Sequence, residues 1–125
     1  MASEPQEFEI EELMARVFAA RDIAHRAHLL SVSYAEHMAL DSFYHDVVDA
    51  IDAVAETHIA LFGVMQEFRV ETQPVSNILD YLREESDWIE ANRDVLSGGS
   101  NAIGNLIDNV TAVYLSTIYK LSRLK

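Results

Sequence analysis

Two prolines and four glycines are all the backbone punctuation in this 125-residue chain. Proline stops a helix by removing an amide donor and clashing with the preceding turn, and glycine weakens a helix through backbone entropy. A chain so poor in both can form long helices. Half of its residues are hydrophobic, and they recur at the three- and four-residue spacing that lines one helix face. Pro5 is the last breaker before a first helix, expected over about residues 6–31. Ile10, Leu13, Met14, Val17 and Phe18 form its stripe, which runs on through Ala24, His25, His28 and Val32.

Ser33-Tyr34-Ala35-Glu36 reads as a capping box, in which the serine hydroxyl bonds the Glu36 amide and the glutamate reaches back to the Ser33 amide. The second helix then runs to about Phe62, with Gly63 as its terminator. The link is so short that the first two helices must be antiparallel neighbours. A third helix is expected over about 75–96, with Ile78, Leu79, Leu82, Trp88, Ile89 and Val95 facing inward. Gly98-Gly99 breaks the chain, and Ser100 or Asn101 caps a fourth helix carrying Ile103, Leu106, Ile107, Val110, Tyr114, Ile118 and Leu121 inward. No segment has strand periodicity. The expectation is one all-α four-helix bundle over residues 1–125, preceded within it by an acidic tail, 1–6.

Two topologies compete for the join between the second and third helices. An up-down-up-down bundle needs only a short turn. A crossover must travel the length of the bundle, and the eleven residues Val64 to Pro74 span roughly 36–40 Å when extended. The third helix is about 33 Å long at 1.5 Å per residue. The loop is longer than a typical bundle connection, which favours the crossover.

Charge narrows the function. Asp and Glu number 21 against nine Lys and Arg, for a net charge of -12. Binding to nucleic acid independent of sequence rests on Lys and Arg neutralising phosphates, so neither DNA nor an anionic membrane is an expected partner. No apolar run is long enough to span a bilayer, and the acidic start lacks the basic and apolar regions of a signal peptide. The absence of Cys excludes disulfides and thiolate ligands and fits a cytoplasmic protein.

The chemistry concentrates on His25, His37, Asp41, Asp52 and Glu56. With His37 at 0° on the second helix, Asp41, Asp52 and Glu56 fall at about 40°, 60° and 100°. All four share one arc, with Tyr44, Val48, Ala55 and Ile59 in or beside it. His37 and Asp52 are nonetheless about 22 Å apart along the axis and cannot hold one metal within one chain. Two copies of this helix packed antiparallel across a two-fold axis bring together positions whose numbers share a common sum. His37 with Glu56 and Asp41 with Asp52 both add to 93. An isologous dimer therefore builds two identical His/carboxylate sites, suited to iron, with zinc or manganese as competitors. His28, one turn from His25, is an accessory ligand or a hydrogen-bonded core residue. His45 lies near the two-fold axis, and His58 is read as structural.

The order His25, His37, Asp41, Asp52, Glu56 resembles the ferroxidase spacing of the Dps-type mini-ferritins. So does the segment Ala24-His25, Tyr34 to Tyr44 and Asp52 to Glu56. The resemblance covers about residues 20–63. It implies a ferritin-like four-helix bundle with a crossover between its second and third helices, and a homo-oligomer, either a dimer or a shell of dimers. The activity it implies is ferroxidase: oxidation of Fe(II) by peroxide or oxygen, with storage of the ferric product. Arg26 follows His25 where that family usually has Trp, which leaves Tyr34 and Tyr44 as the nearby aromatics. Two other readings fit the same face: a ferritin-like helical interaction protein without redox work, and a dimer holding structural zinc or manganese.

Overall fold

The computed structural model describes residues 9–124, and no strand occurs among them. The helices are α1 (Glu9–Leu30), α2 (Tyr34–Phe62), α3 (Ile78–Ala91), α4 (Arg93–Ser97) and α5 (Asn101–Arg123). The fold is all-α, as expected. The acidic tail and the expected helix start at residue 6 lie outside the described residues.

Caps set the helix boundaries. Ser33 accepts the Glu36 amide at 3.2 Å, so the forward arm of the capping box forms. The return arm differs. The Glu36 carboxylate accepts the Ser31 hydroxyl at 2.8 Å, and the Ser33 amide donates to that hydroxyl oxygen at 3.2 Å. Ser31 thus relays a bond that Glu36 was expected to make itself. At the other end of α2, Gly63 takes φ 95° and returns its amide to the Ile59 carbonyl at 2.9 Å. Ser100 caps α5, accepting the Ile103 amide at 3.1 Å.

The expected helix 75–96 is shorter and broken. Asn77 caps α3 by accepting the Asp80 amide at 3.0 Å, which moves its start past Val75. Asn92 interrupts it, turning its side-chain amide back to the Trp88 carbonyl at 2.8 Å. Leu82, Ile89 and Leu96, seven residues apart, form the buried stripe of α3 and α4. Val95, expected in the core, lies one residue off that stripe and faces solvent. Val32 is likewise no part of the α1 stripe, because α1 ends at Leu30 and Val32 sits exposed in the turn.

Each long helix packs on two of the other long helices, α1 on α2 and α3 and α5 on α2 and α3, and the short α4 rests on α1, α3 and α5. Among the described residues α2 and α3 are not neighbours. They sit on a diagonal because the chain between them follows α1 from end to end. The Gln66 amide bonds the Glu11 carboxylate at 2.8 Å near the start of α1. Phe68 meets Phe18 edge-on at 5.6 Å midway. Pro74 and Val75 then border a cleft with Ala27 and Leu30 at the far end. The join is a crossover, and α3 runs parallel to α2. Arg16 ties α1 to α3 across the same side. It donates to Glu85 at 3.0 Å and Glu12 at 2.9 Å, and its guanidinium lies 4.1 Å over the Trp88 ring.

Tyr114 is the largest fully buried side chain and meets Phe43 edge-on at 5.0 Å. Its hydroxyl is buried with no hydrogen-bond partner among the described residues, and burial pushes the phenol well above its ordinary range. An unpaired buried hydroxyl costs more to keep than to remove. Tyr114→Phe is therefore expected to leave stability unchanged or raise it by up to about 1 kcal/mol, measured by urea denaturation. A loss of that size would show that the hydroxyl is bonded in solution.

Candidate metal centre on the α1–α2 face

The short turn after α1 places its last two turns against the first three of α2, and five ring side chains meet there. His28, buried at 7% exposure, stacks on His37 with centroids 3.6 Å apart. Each ring also bonds the other residue's backbone. The His28 Nδ1–H donates to the His37 carbonyl at 2.7 Å, and the His37 Nδ1–H donates to the His28 carbonyl at 3.0 Å. A carbonyl can only accept, so both Nδ1 atoms carry the proton, and in the neutral rings the lone pair is on Nε2. Imidazoles that bind metal are commonly held this way, one nitrogen fixed by a backbone carbonyl and the other open. His28 is buried and hydrogen-bonded through Nδ1.

His25 lies three residues earlier on α1 and is exposed. Its ring stacks on Tyr44 with centroids 4.0 Å apart and planes within 13°. The Tyr44 hydroxyl donates to Asp41 Oδ1 at 3.1 Å. Burial, reinforced by the Asp41 carboxylate, raises the Tyr44 phenol above its usual range. The His45 Nδ1–H donates to the Asp41 carbonyl at 2.9 Å, and its ring is mostly exposed. His25, His37 and Asp41 are therefore gathered at one end of the face. Tyr44 links His25 to Asp41, and His28 backs His37. The bridging contacts of Tyr44 were not foreseen from sequence, although its place three residues after Asp41 is the signal that carries them.

Asp52 and Glu56 are exposed farther along the same helix, with Asp52 about 16 Å from Asp41 along the axis. Among the described residues of one chain, no three His, Asp or Glu side chains converge closely enough to hold a metal ion. His25, His37 and Asp41 lie at one end of the face, joined only through Tyr44 and His28, and Asp52 and Glu56 lie farther along α2. No described helix is long and apolar enough to cross a membrane.

A family described as a family of unknown function, DUF5856, matches residues 28–121. The chain belongs to that family. The match includes His28, His37, Asp41, Asp52 and Glu56 and begins after His25. An uncharacterised 14.6 kDa protein from the mobD-ri intergenic region of Enterobacteria phage T4 is 24% identical over 113 residues, which are 90% of this chain and 87% of that protein. No solved structure matches.

His58 stands apart from the cluster. It packs on Phe62 with centroids 5.0 Å apart, and its Nδ1 is buried without a partner among the described residues. Burial lowers its pKa below 6.5, against a smaller opposing pull from Glu11. The unfolded chain therefore takes up this proton at a higher pH than the folded one does. Stability from His58 is fully present above about pH 6.5 and falls as pH drops from there towards the lowered folded value. His58→Gln is expected to flatten the loss of stability between neutral and mildly acidic pH. An unchanged slope would contradict the burial.

Proposed function

We propose that the chain is a ferritin-like helical bundle that oxidises ferrous iron at centres shared between two copies, a divergent relative of the mini-ferritins acting in the cytoplasm. The observation that carries this reading is the division of the face. His25, His37 and Asp41 stand together and exposed or half-exposed at one end, and Asp52 and Glu56 stand exposed at the other, out of reach within one chain. An antiparallel two-fold pairing of α2 joins the two halves twice. The exposed apolar residues of the same face support this pairing. Tyr34 is 78% exposed and Ile59 45%, and their numbers also add to 93. Further support comes from the long crossover between α2 and α3, a connection that ferritin-like bundles also use.

In this reading iron is the substrate. The Nε2 of His37 and the imidazole of His25 supply nitrogen donors. Asp41 and the partner's Asp52 and Glu56 supply carboxylates that neutralise the cation. Two ferrous ions each give one electron to one hydrogen peroxide, which takes up two protons and leaves as two waters.

Purified protein is expected to elute and scatter light as a dimer or larger assembly of its 14.1 kDa chain. It is also expected to oxidise Fe(II) with peroxide faster than buffer does. Because each centre is built from both chains, a His37→Ala protein mixed with a Glu56→Ala protein forms dimers with one centre doubly damaged and one intact. The mixture is expected to recover activity that neither variant has alone. A stable monomer at micromolar concentration, or oxidation no faster than buffer, overturns the reading.

A further inference from the structure

We propose that Tyr44 is the positioning residue of this centre, holding one ligand from each helix, His25 of α1 and Asp41 of α2, in place before iron arrives. The inference rests on the iron reading and goes beyond it by assigning a residue outside the ligand set. His25 is exposed at the edge of α1, and a free imidazole there would sample several rotamers. The flat stack on Tyr44, 4.0 Å between centroids and 13° between planes, restricts it to one. The phenol oxygen of the same ring bonds one Asp41 oxygen at 3.1 Å, which turns the carboxylate while leaving its other oxygen open to a cation. Behind the ring, the His28 imidazole stands edge-on with centroids 5.4 Å apart, so Tyr44 is itself held by the residue that fixes His37. One side of Tyr44 borders an open cleft of about 410 Å³ together with Arg21, Asp22, His25 and His45. The cleft opens onto His25 and Tyr44, with the Asp22 and Asp49 carboxylates on its lining.

Groups that orient metal ligands typically change affinity by about 10–100-fold when removed. The test measures anaerobic Fe(II) binding by calorimetry in the wild-type protein, Tyr44→Phe, Tyr44→Leu, His25→Ala, and the Tyr44→Leu/His25→Ala double variant. Tyr44→Phe keeps the ring and its packing and loses only the bond to Asp41, and is expected to bind about tenfold more weakly. Tyr44→Leu loses the stack as well and is expected to bind more weakly still. In the His25→Ala background Tyr44→Leu is expected to cost less than in the wild type, because it acts partly through His25. A readout without metal accompanies these: the His25 ring protons are expected upfield in the wild type and Tyr44→Phe, under the aromatic ring current, and to return downfield in Tyr44→Leu. Unchanged affinity in Tyr44→Phe, equal losses from Tyr44→Leu in both backgrounds, or His25 signals that ignore Tyr44 overturn the positioning role while leaving the iron reading intact. A wild-type protein that binds no Fe(II) overturns both.

Discussion

The paired hydrogen bonds between His28 and His37 fix the register of α1 against α2, and the candidate centre follows from that register. Carbonyls in the last turn of a helix have no intrahelical partner. Here the His37 ring serves the His28 carbonyl, and the His28 ring serves the carbonyl of His37 in return. Each ring is also a face of the stack, at 3.6 Å, so a slip of one residue would break two hydrogen bonds and a ring contact together. With that register set, His25, one turn before His28, must face Tyr44, two turns after His37. The serine relay through Ser31, Ser33 and Glu36 closes the same turn from the other side.

The crossover determines which surfaces remain open. By following α1 from Glu11 to Leu30 it covers the side of α1 next to α3, and α5 covers the inner side of α2. The outer face shared by α1 and α2 is left with histidines at one end and the exposed carboxylates of Asp46, Asp49, Asp52 and Glu56 along the rest. In the proposed dimer of a chain of net charge -12, two such faces would repel unless a cation stood between Asp41 of one copy and the partner's Asp52. Metal and dimer would therefore stabilise one another, since each neutralises charge that the other brings together.

Much of the fold was legible because it rests on local signals. Ser33, Gly63 and Ser100 mark helix ends through backbone chemistry that sequence displays directly. The stretch Val64 to Pro74 points to the crossover because its extended length matches that of the bundle, and in the structure the connection extends over residues 63–77. Val95 is apolar yet exposed, because the seven-residue spacing of Leu82, Ile89 and Leu96 sets which face is buried. The interruption at Asn92 depends on one side-chain amide turning back on Trp88, a choice that sequence does not display. At the candidate centre, the spacing along one helix already separates His37 and Asp41 from Asp52 and Glu56, and the structure keeps that separation on α2. The histidine exchange and the bridging ring of Tyr44 depend on the separation and rotation of two helices, which periodicity does not specify. The Arg16–Glu85 link was missed for the same reason, because its partners are 69 residues apart.

The shared centre is tested most directly by anomalous diffraction at the iron edge from crystals soaked with ferrous iron without oxygen. Two equal peaks related by a two-fold axis are expected, each between His25, His37 and Asp41 of one copy and the partner's Asp52 and Glu56. Iron bound by residues of a single copy, or no peak on the α1–α2 face in a crystal where that face is open, would contradict the shared centre.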